Sequence, residues 1–247
     1  MAPRTVLITG ANRGLGLGLA KRFLEQLDHT VIAAVRNPDH PTSVALADLP
    51  KGKRSQLIVV EYDAAVWHEA ANTVKELTEA YSINHLDIVI ANAGIAKKFP
   101  TVKDVEGSDV LEHVEVNVLS KVSLYQATRD LLQKSTGKPI FAMVGAGAGA
   151  LGRQPPVPNA VYGASYSMVN WYGVRINAED EWLISIVLDP GWVQTDMGNA
   201  AAQGFGLEEA PVTLDDSCNG MFRVINAATK EKDGGRVVLH TGEVAAW

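Results

Sequence analysis

The sequence predicts a single α/β domain: a doubly wound, mostly parallel sheet of about seven strands with helices on both faces. Three observations predict it. Short apolar, β-branched runs alternate with amphipathic stretches of helical length along the whole chain. The inner runs, such as 86–91 and 183–188, are apolar but for Asp87 and Ser185, as expected of strands covered on both faces. The first run ends in a glycine cluster, Gly10, Gly14 and Gly16, and an amphipathic segment through Phe23 and Leu24 follows at once. A chain of 247 residues suits one core of this kind, and no repeat, low-complexity tract or second core divides 1–247.

Composition narrows the function classes. Hydrophobic residues make up 47% and charged residues 20%, and the net charge of −6 argues against a basic face for nucleic acid or anionic membrane. Cys218 is the only cysteine, so no intrachain disulfide forms, which fits a reducing compartment. No apolar run is long enough to span a bilayer. The first residues lead straight into a strand pattern without the series of segments that marks a secretory signal. A cytoplasmic protein acting on a small-molecule substrate, with no metal site, no nucleic acid and no membrane partner, is expected.

The first element carries the strongest signal. In Val6-Leu7-Ile8-Thr9-Gly10-Ala11-Asn12-Arg13-Gly14-Leu15-Gly16, a strand turns tightly into a helix whose free N–H groups and positive dipole end suit a diphosphate. An ordinary strand-to-helix turn has similar ingredients, but a glycine cluster at the start of a βαβ pattern favours a dinucleotide. The spacing Thr-Gly-x-x-x-Gly-x-Gly resembles the fingerprint of the short-chain dehydrogenase/reductase superfamily, which implies a Rossmann-like fold with Gly10, Asn12, Arg13, Gly14, Leu15 and Gly16 at the cofactor.

The next elements fit that resemblance in order. The strand 30–35 ends at Arg36, where an NAD-preferring fold usually carries an acid for the ribose 2′-hydroxyl. Arg36 and Arg13 read as two surface arginines or as a clamp on a 2′-phosphate, and the missing acid favours NADP(H). Residues 38–55 read as a loop or broken helix, and 56–60 as a strand. Asp63 corresponds to the superfamily's residue near the adenine edge, and equally reads as the N-cap of a helix over 65–81. After the strand 86–91, Asn92-Ala93-Gly94 resembles the superfamily's N-A-G element beside the cofactor. Residues 115–118 are expected to open a long helix, with Asn117 matching the helix-bending catalytic Asn. A strand over 140–144, a helix over 161–175 and a strand over 183–188 follow. Pro190, Gly191 and Thr195 then resemble the P-G-x-x-x-T segment that holds the nicotinamide carboxamide, before a helix over 213–228 and a strand over 236–240.

The chemistry departs from the superfamily. Its usual tetrad is Asn, Ser, Tyr and Lys. Here Asn117 and Tyr162 are present, Tyr162 also lying beside the cofactor, but the Lys position one helical turn on is Tyr166, and Ala146 stands where the Ser should be. Ser165 and Ser167 flank the missing Lys on helical positions expected to point elsewhere, and no lysine lies nearby in sequence. A ketone gaining a hydride needs a proton donor, whereas an iminium ion becomes neutral without one and is helped by a carboxylate or aromatic faces. Asp189, at the carboxyl end of a strand, is the candidate carboxylate; Tyr166, Trp192 and Trp171 are the candidate aromatics, with Ala146 and Trp192 toward the substrate.

The stretches 191–198 and 210–213 resemble norsolorinic-acid-type ketoreductases, and the altered tetrad with Asp189 before Pro-Gly-Trp resembles fungal indole-alkaloid reductase/Diels–Alderases. That resemblance implies reduction of a cyclic iminium with NADPH, then cycloaddition of the product. An ordinary ketoreductase with a spatially replaced lysine, and a redox-inactive cofactor-bound cyclase or binding protein, are the alternatives. Superfamily relatives pair through the helices corresponding to those after Asn117 and at Tyr162, which implies a homo-oligomer, a dimer or tetramer.

Overall fold

The computed structural model describes residues 3–247. Strand β1 (Arg4–Thr9) runs into helix α1 (Gly14–Leu24), and β2 (His29–Val35) follows. The polar stretch after it holds only a short α2 (Pro41–Val44) and a 3₁₀ turn (Ala45–Asp48), the broken helix that its prolines predict. Then come β3 (Gln56–Glu61), α3 (Glu69–Glu79) and β4 (Ile88–Ala91). Helices α4 (Gly107–Val114) and α5 (Ser120–Gln133) are joined by a π turn over Glu115–Leu119, so the long helix opens eight residues earlier than the sequence suggested. The chain ends with β5 (Ile140–Val144), α6 (Tyr162–Glu179), β6 (Ile184–Asp189), α7 (Asp196–Gly204), α8 (Leu214–Ala227), α9 (Lys230–Asp233), β7 (Val237–Leu239) and β8 (Val244–Ala245).

The sheet has eight strands, not seven, in the order β3-β2-β1-β4-β5-β6-β7-β8, and all pairs are parallel except β7 with β8. The extra strand has two residues and returns after Gly242, whose φ of +95° makes the reversal possible; so short a segment carries no periodicity to read.

Strand alternation divides the core in two. Val6, Ile8, Val31 and Ala33 face α1 and α8, meeting Leu19, Phe23, Met221 and Ile225. Leu7, Ile32 and Val89 face the opposite layer, with Leu77, Leu124 and Val169 from α3, α5 and α6. Leu7 and Ile8, neighbours on opposite faces of β1, are both fully buried, so each sheet face is covered, which explains why the inner strands read as nearly unbroken apolar runs. Trp171 does not join this layer: it lies on the outer face of α6, 66% exposed, because its place two residues after Val169 and five before Ile176 puts it on the opposite side of the helix from those core residues. Among the described residues no helix is long and apolar enough to cross a membrane, and no cluster of metal-ligating side chains occurs.

The order of strands reverses at β1, which pairs with β2 on one side and β4 on the other. The crevice beyond the carboxyl ends of β1 and β4 is where such a sheet receives a ligand.

Candidate active site

The glycine turn lines one wall of this crevice. Gly10 has φ +64°, and a Cβ at Gly16 would lie 2.2 Å from the Gly10 carbonyl oxygen, so the start of α1 closes onto the end of β1 only without a side chain. The opposite wall meets it: a Cβ at Gly14 would lie 3.4 Å from Cγ2 of Thr195. Thr195 itself caps α7, its hydroxyl accepting from the Gly198 N–H at 3.0 Å. Pro190 leads into this wall, its carbonyl accepting from the Ser217 hydroxyl at 2.8 Å. Gly191 has φ +77°. Leu15 is half-buried against the α1–α8 core layer.

Between the walls, Asn92 fastens the ends of β1 and β4 together. Its amide donates to the Thr9 carbonyl at 2.8 Å, and the backbone N–H groups of Asn92 and Ala93 both donate to the Thr9 hydroxyl at 3.0 Å. Farther out, the Asn12 amide donates to the hydroxyls of Thr42 and Ser43, tying the glycine turn to α2. Arg13 and Arg36 are exposed, and neither makes an ion pair or side-chain hydrogen bond among the described residues. An open groove with two uncommitted guanidinium groups at its outer end fits a dinucleotide with an extra phosphate. Asp63 does not cap a helix, because α3 begins only at Glu69; its carboxylate instead accepts from the Ala65 N–H at 2.9 Å and shapes the turn.

The π turn places Asn117. An extra residue in the turn breaks the helix phase and presents its side chain inward, where it is fully buried. Oδ1 accepts from the Ile95 N–H at 2.7 Å, and Nδ2 donates to the Ile95 carbonyl and to the Ser165 hydroxyl, both at 3.0 Å. Ser165 therefore points into the site rather than away from it: three residues on from Tyr162, it shares that face of α6. Ala146 stands at the mouth, half-buried, and leads into a 3₁₀ turn over Gly147–Gly149. Ser167 is committed elsewhere, donating to the Gly149 carbonyl at 2.8 Å.

Tyr162 opens α6, and Tyr166 lies one turn on, with ring centroids 4.7 Å apart. The Tyr166 hydroxyl lies over Gly94, where a Cβ would approach it to 2.8 Å. Burial, followed by the neighbouring Tyr166 and Asp189, holds the Tyr162 hydroxyl well above the usual phenol range. Burial pushes Tyr166 up to about 12, against the hydrogen-bonding pull of the Tyr162 hydroxyl. Both are neutral phenols at physiological pH.

Asp189 departs from its expected role as a carboxylate free to face a substrate. It is 3% exposed; Oδ1 accepts from the Gly191 N–H at 3.0 Å, and Oδ2 pairs with the Arg153 guanidinium at 3.0 Å. It fixes the Pro190–Gly191 turn, and its charge is largely answered. Of the expected aromatics, Tyr166 and Trp192 come into one chain of rings and Trp171 does not. A chain of rings runs Tyr166, Tyr162, Phe99, Phe205, Trp192, with successive centroids 4.7, 5.8, 5.5 and 6.2 Å apart. The Trp192 indole N–H donates to the Gly198 carbonyl at 2.9 Å, so its ring is held in place at the rim.

Sequence reasoning missed Phe99, Phe205 and Arg153, which lie on loops or at a helix end and carry no periodic signal. It also missed Lys121. This lysine is 2% exposed, four residues after Asn117, and its amine donates to the Ala93 carbonyl at 2.7 Å. A signal was available: the spacing rule used to look for a lysine after Tyr162 finds one after Asn117.

With the site in view, its likenesses can be stated. Residues 4–206 match the family described as short chain dehydrogenase. The chain is 42% identical over 240 residues to a norsolorinic acid ketoreductase of Dothistroma septosporum, covering 96% of this chain and 89% of that protein. It is 36% identical over 245 residues to a norsolorinic acid ketoreductase of Aspergillus parasiticus, covering 98% and 90%. Among solved structures, an NADPH-bound carbonyl reductase from chicken fatty liver superposes with a TM-score of 0.87 at 26% identity, covering 100% of both chains.

Proposed function

The chain belongs to the short chain dehydrogenase family, and from that premise we propose that it is an NADP(H)-dependent reductase of secondary metabolism whose acceptor is a cyclic iminium ion, and that it also steers the cyclisation of the reduced product. What supports the reading is a crevice lined by aromatic faces, with Ala146 and Tyr166 at the positions where the family's hydroxyl and amine would assist a ketone. NADPH, when bound, supplies the hydride; Gly10, Gly14, Gly16, Arg13, Arg36 and Thr195 would hold it. A cationic C=N carbon accepts that hydride and becomes a neutral amine, so no proton is required from Tyr162. Before reduction the cation gains from the faces of Tyr162, Tyr166 and Phe99, and from what remains of the Asp189 field beyond Arg153. After reduction, the same rings offer a dry, flat wall against which a planar product folds for ring closure. A homo-oligomer in which α5 and α6 meet a second copy belongs to this reading, with exposed Trp171, Met168 and Val174 on α6 as its contact.

Two observations favour a second reading, ketone reduction. The relatives above carry that activity in their names, and Lys121 puts an amine behind Tyr166. The experiment that separates the readings is NADPH oxidation with N-methyldihydroisoquinolinium and with tetralone, in the wild type and in Tyr162→Phe. Iminium reduction predicts turnover of the first substrate that Tyr162→Phe changes less than about threefold, since no oxygen needs its proton; ketone reduction predicts losses of about a hundredfold or more. Absence of NADPH oxidation with both would leave cyclisation with bound NADP⁺ as the activity to assay.

A further inference from the structure

Lys121 is the one described lysine that is almost wholly enclosed. It sits on α5 with its amine 2.7 Å from the Ala93 carbonyl and 6.0 Å from the centre of the Tyr166 ring, and it makes no ion pair among the described residues. The titratable group shown against it is a phenol, Tyr166 from α6, while Tyr62 beyond the end of β3 donates its hydroxyl to the carbonyl of the preceding residue, Ser120, at 3.1 Å. An ammonium has three donors, and only one is used here by the protein. Lysines are almost never this enclosed without a partner, because the charged form loses its hydration. In packing terms a leucine or methionine would serve this site better. The amine must therefore be explained by what it faces: the Ala93–Gly94 turn at the floor of the groove, and the ring whose hydroxyl lies over Gly94.

We infer that Lys121 is a positioning residue for ketone reduction, and so rests on the second reading above: reaching from α5 in place of the lysine absent from α6, it pins the Ala93–Gly94 turn and sets a proton-carrying amine behind Tyr166. The two functions of one missing side chain are thus divided. Tyr166 supplies the polar atom facing the groove. Lys121 supplies the positive charge, delivered through the ring face and the Ala93 peptide, without entering the groove. A cation behind Tyr166 makes its hydroxyl a better proton donor toward Tyr162, which matters when an oxygen must be protonated and is indifferent when a cationic C=N is reduced. Burial lowers the Lys121 amine to about 7, so it can change charge in the range where such an enzyme works.

Two arms test this on the full chain, one of them independent of any turnover. In the first, protein with isotope-labelled lysine Cε is titrated by NMR, the Lys121 signal being assigned by its loss in Lys121→Met or Lys121→Arg. The expected result is a midpoint near neutrality that moves down by about half a pH unit when NADP⁺, the probe, covers the Ala93–Gly94 turn. A midpoint ordinary for lysine, or one that NADP⁺ leaves in place, overturns the inference. In the second, Lys121→Met is compared with wild type for tetralone and N-methyldihydroisoquinolinium. The expected result is about a tenfold or greater loss of kcat for the ketone with KM within about threefold, disappearance of the neutral-pH limb from its profile, and little change for the iminium. Unchanged ketone kcat with an unchanged pH profile overturns it. If wild type oxidises NADPH with neither substrate, the reduction reading fails while the NMR arm still decides the placement of Lys121.

Discussion

Replacing Lys121 by Met should change the pH dependence of stability. The folded amine is lowered to about 7 by burial, against 10.5 when exposed. Between those values the unfolded chain binds a proton that the folded chain does not, so stability rises with pH across the window. Below about pH 7 both states carry the proton, and the folded state bears the full cost of enclosing it. Each unit of separation is worth about 1.4 kcal/mol. Methionine has nearly the same shape and never carries the charge. Its stability relative to wild type should therefore be most favourable at about pH 6.5 and become less so by about 1.4 kcal/mol per unit on the way to about pH 9. The lost hydrogen bond to Ala93 costs about 1 kcal/mol at every pH and shifts the curve without tilting it. For a domain of this length each kcal/mol moves Tm by about 2–4 °C, so the relative Tm should drift by about 5–10 °C over that range. Urea melts of both proteins at matched ionic strength measure it, and other titrating groups cancel in the difference. A difference that stays flat from about pH 6.5 to about 9 would refute the reasoning, since an amine with an ordinary affinity for protons leaves no slope.

Three further outcomes follow from the site. Arg36→Asp should weaken NADPH binding by about 10–100-fold while leaving NADH within a few-fold, as one charge-assisted phosphate contact is lost; calorimetry measures both, and equal losses would sink the 2′-phosphate assignment. Asp189→Asn keeps the acceptor for the Gly191 N–H but strands Arg153, so iminium turnover should fall by about tenfold, near the low end for a single charged contact because Arg153 already offsets that charge; an unchanged rate would remove Asp189 from the reaction. Trp171→Glu should shift light-scattering mass toward the monomer at micromolar concentration while the melting temperature of the isolated fold stays within a few degrees; a wild type already monomeric would refute the oligomer.

The fold was legible because its signals are local and redundant. Gly10 and Gly16 announce a turn that tolerates no side chain, and the runs through Val89 and Ile186 are apolar at nearly every position because both sheet faces are covered. The walls of the crevice were legible for a related reason: Asn92 and Pro190 directly follow strand ends, and Thr195 caps the helix after β6. What lay hidden depends on distances across the chain. Phe99 and Phe205 come together from segments more than a hundred residues apart, and Arg153 meets Asp189 from a loop, so no spacing rule could pair them. Ser165 was misjudged because its neighbour Tyr166 was taken as the reference, when its partner face is set by Tyr162 and by Asn117 on another helix. Lys121 was overlooked because a lysine within a helix normally reads as a solvated face, and only the packing of α5 under Tyr166 shows otherwise.

The π turn over Glu115–Leu119 has a consequence for how such a site can diversify. One surplus residue lets α4 and α5 each keep its own angular phase along a single helical rod. Asn117 sits within the break, and Lys121 stays in register with the sheet below it. Above it, His113 tethers the substrate-side segment by accepting from the Lys97 N–H at 3.1 Å. Insertions, deletions or a change of pitch upstream of the break are then absorbed as rotation of α4 and its attached segment, and the lower half does not turn. The surplus residue works as a swivel between a fixed floor and a roof free to turn. A single-residue deletion within the turn would weld the two halves, forcing any change in the roof to be transmitted to the floor.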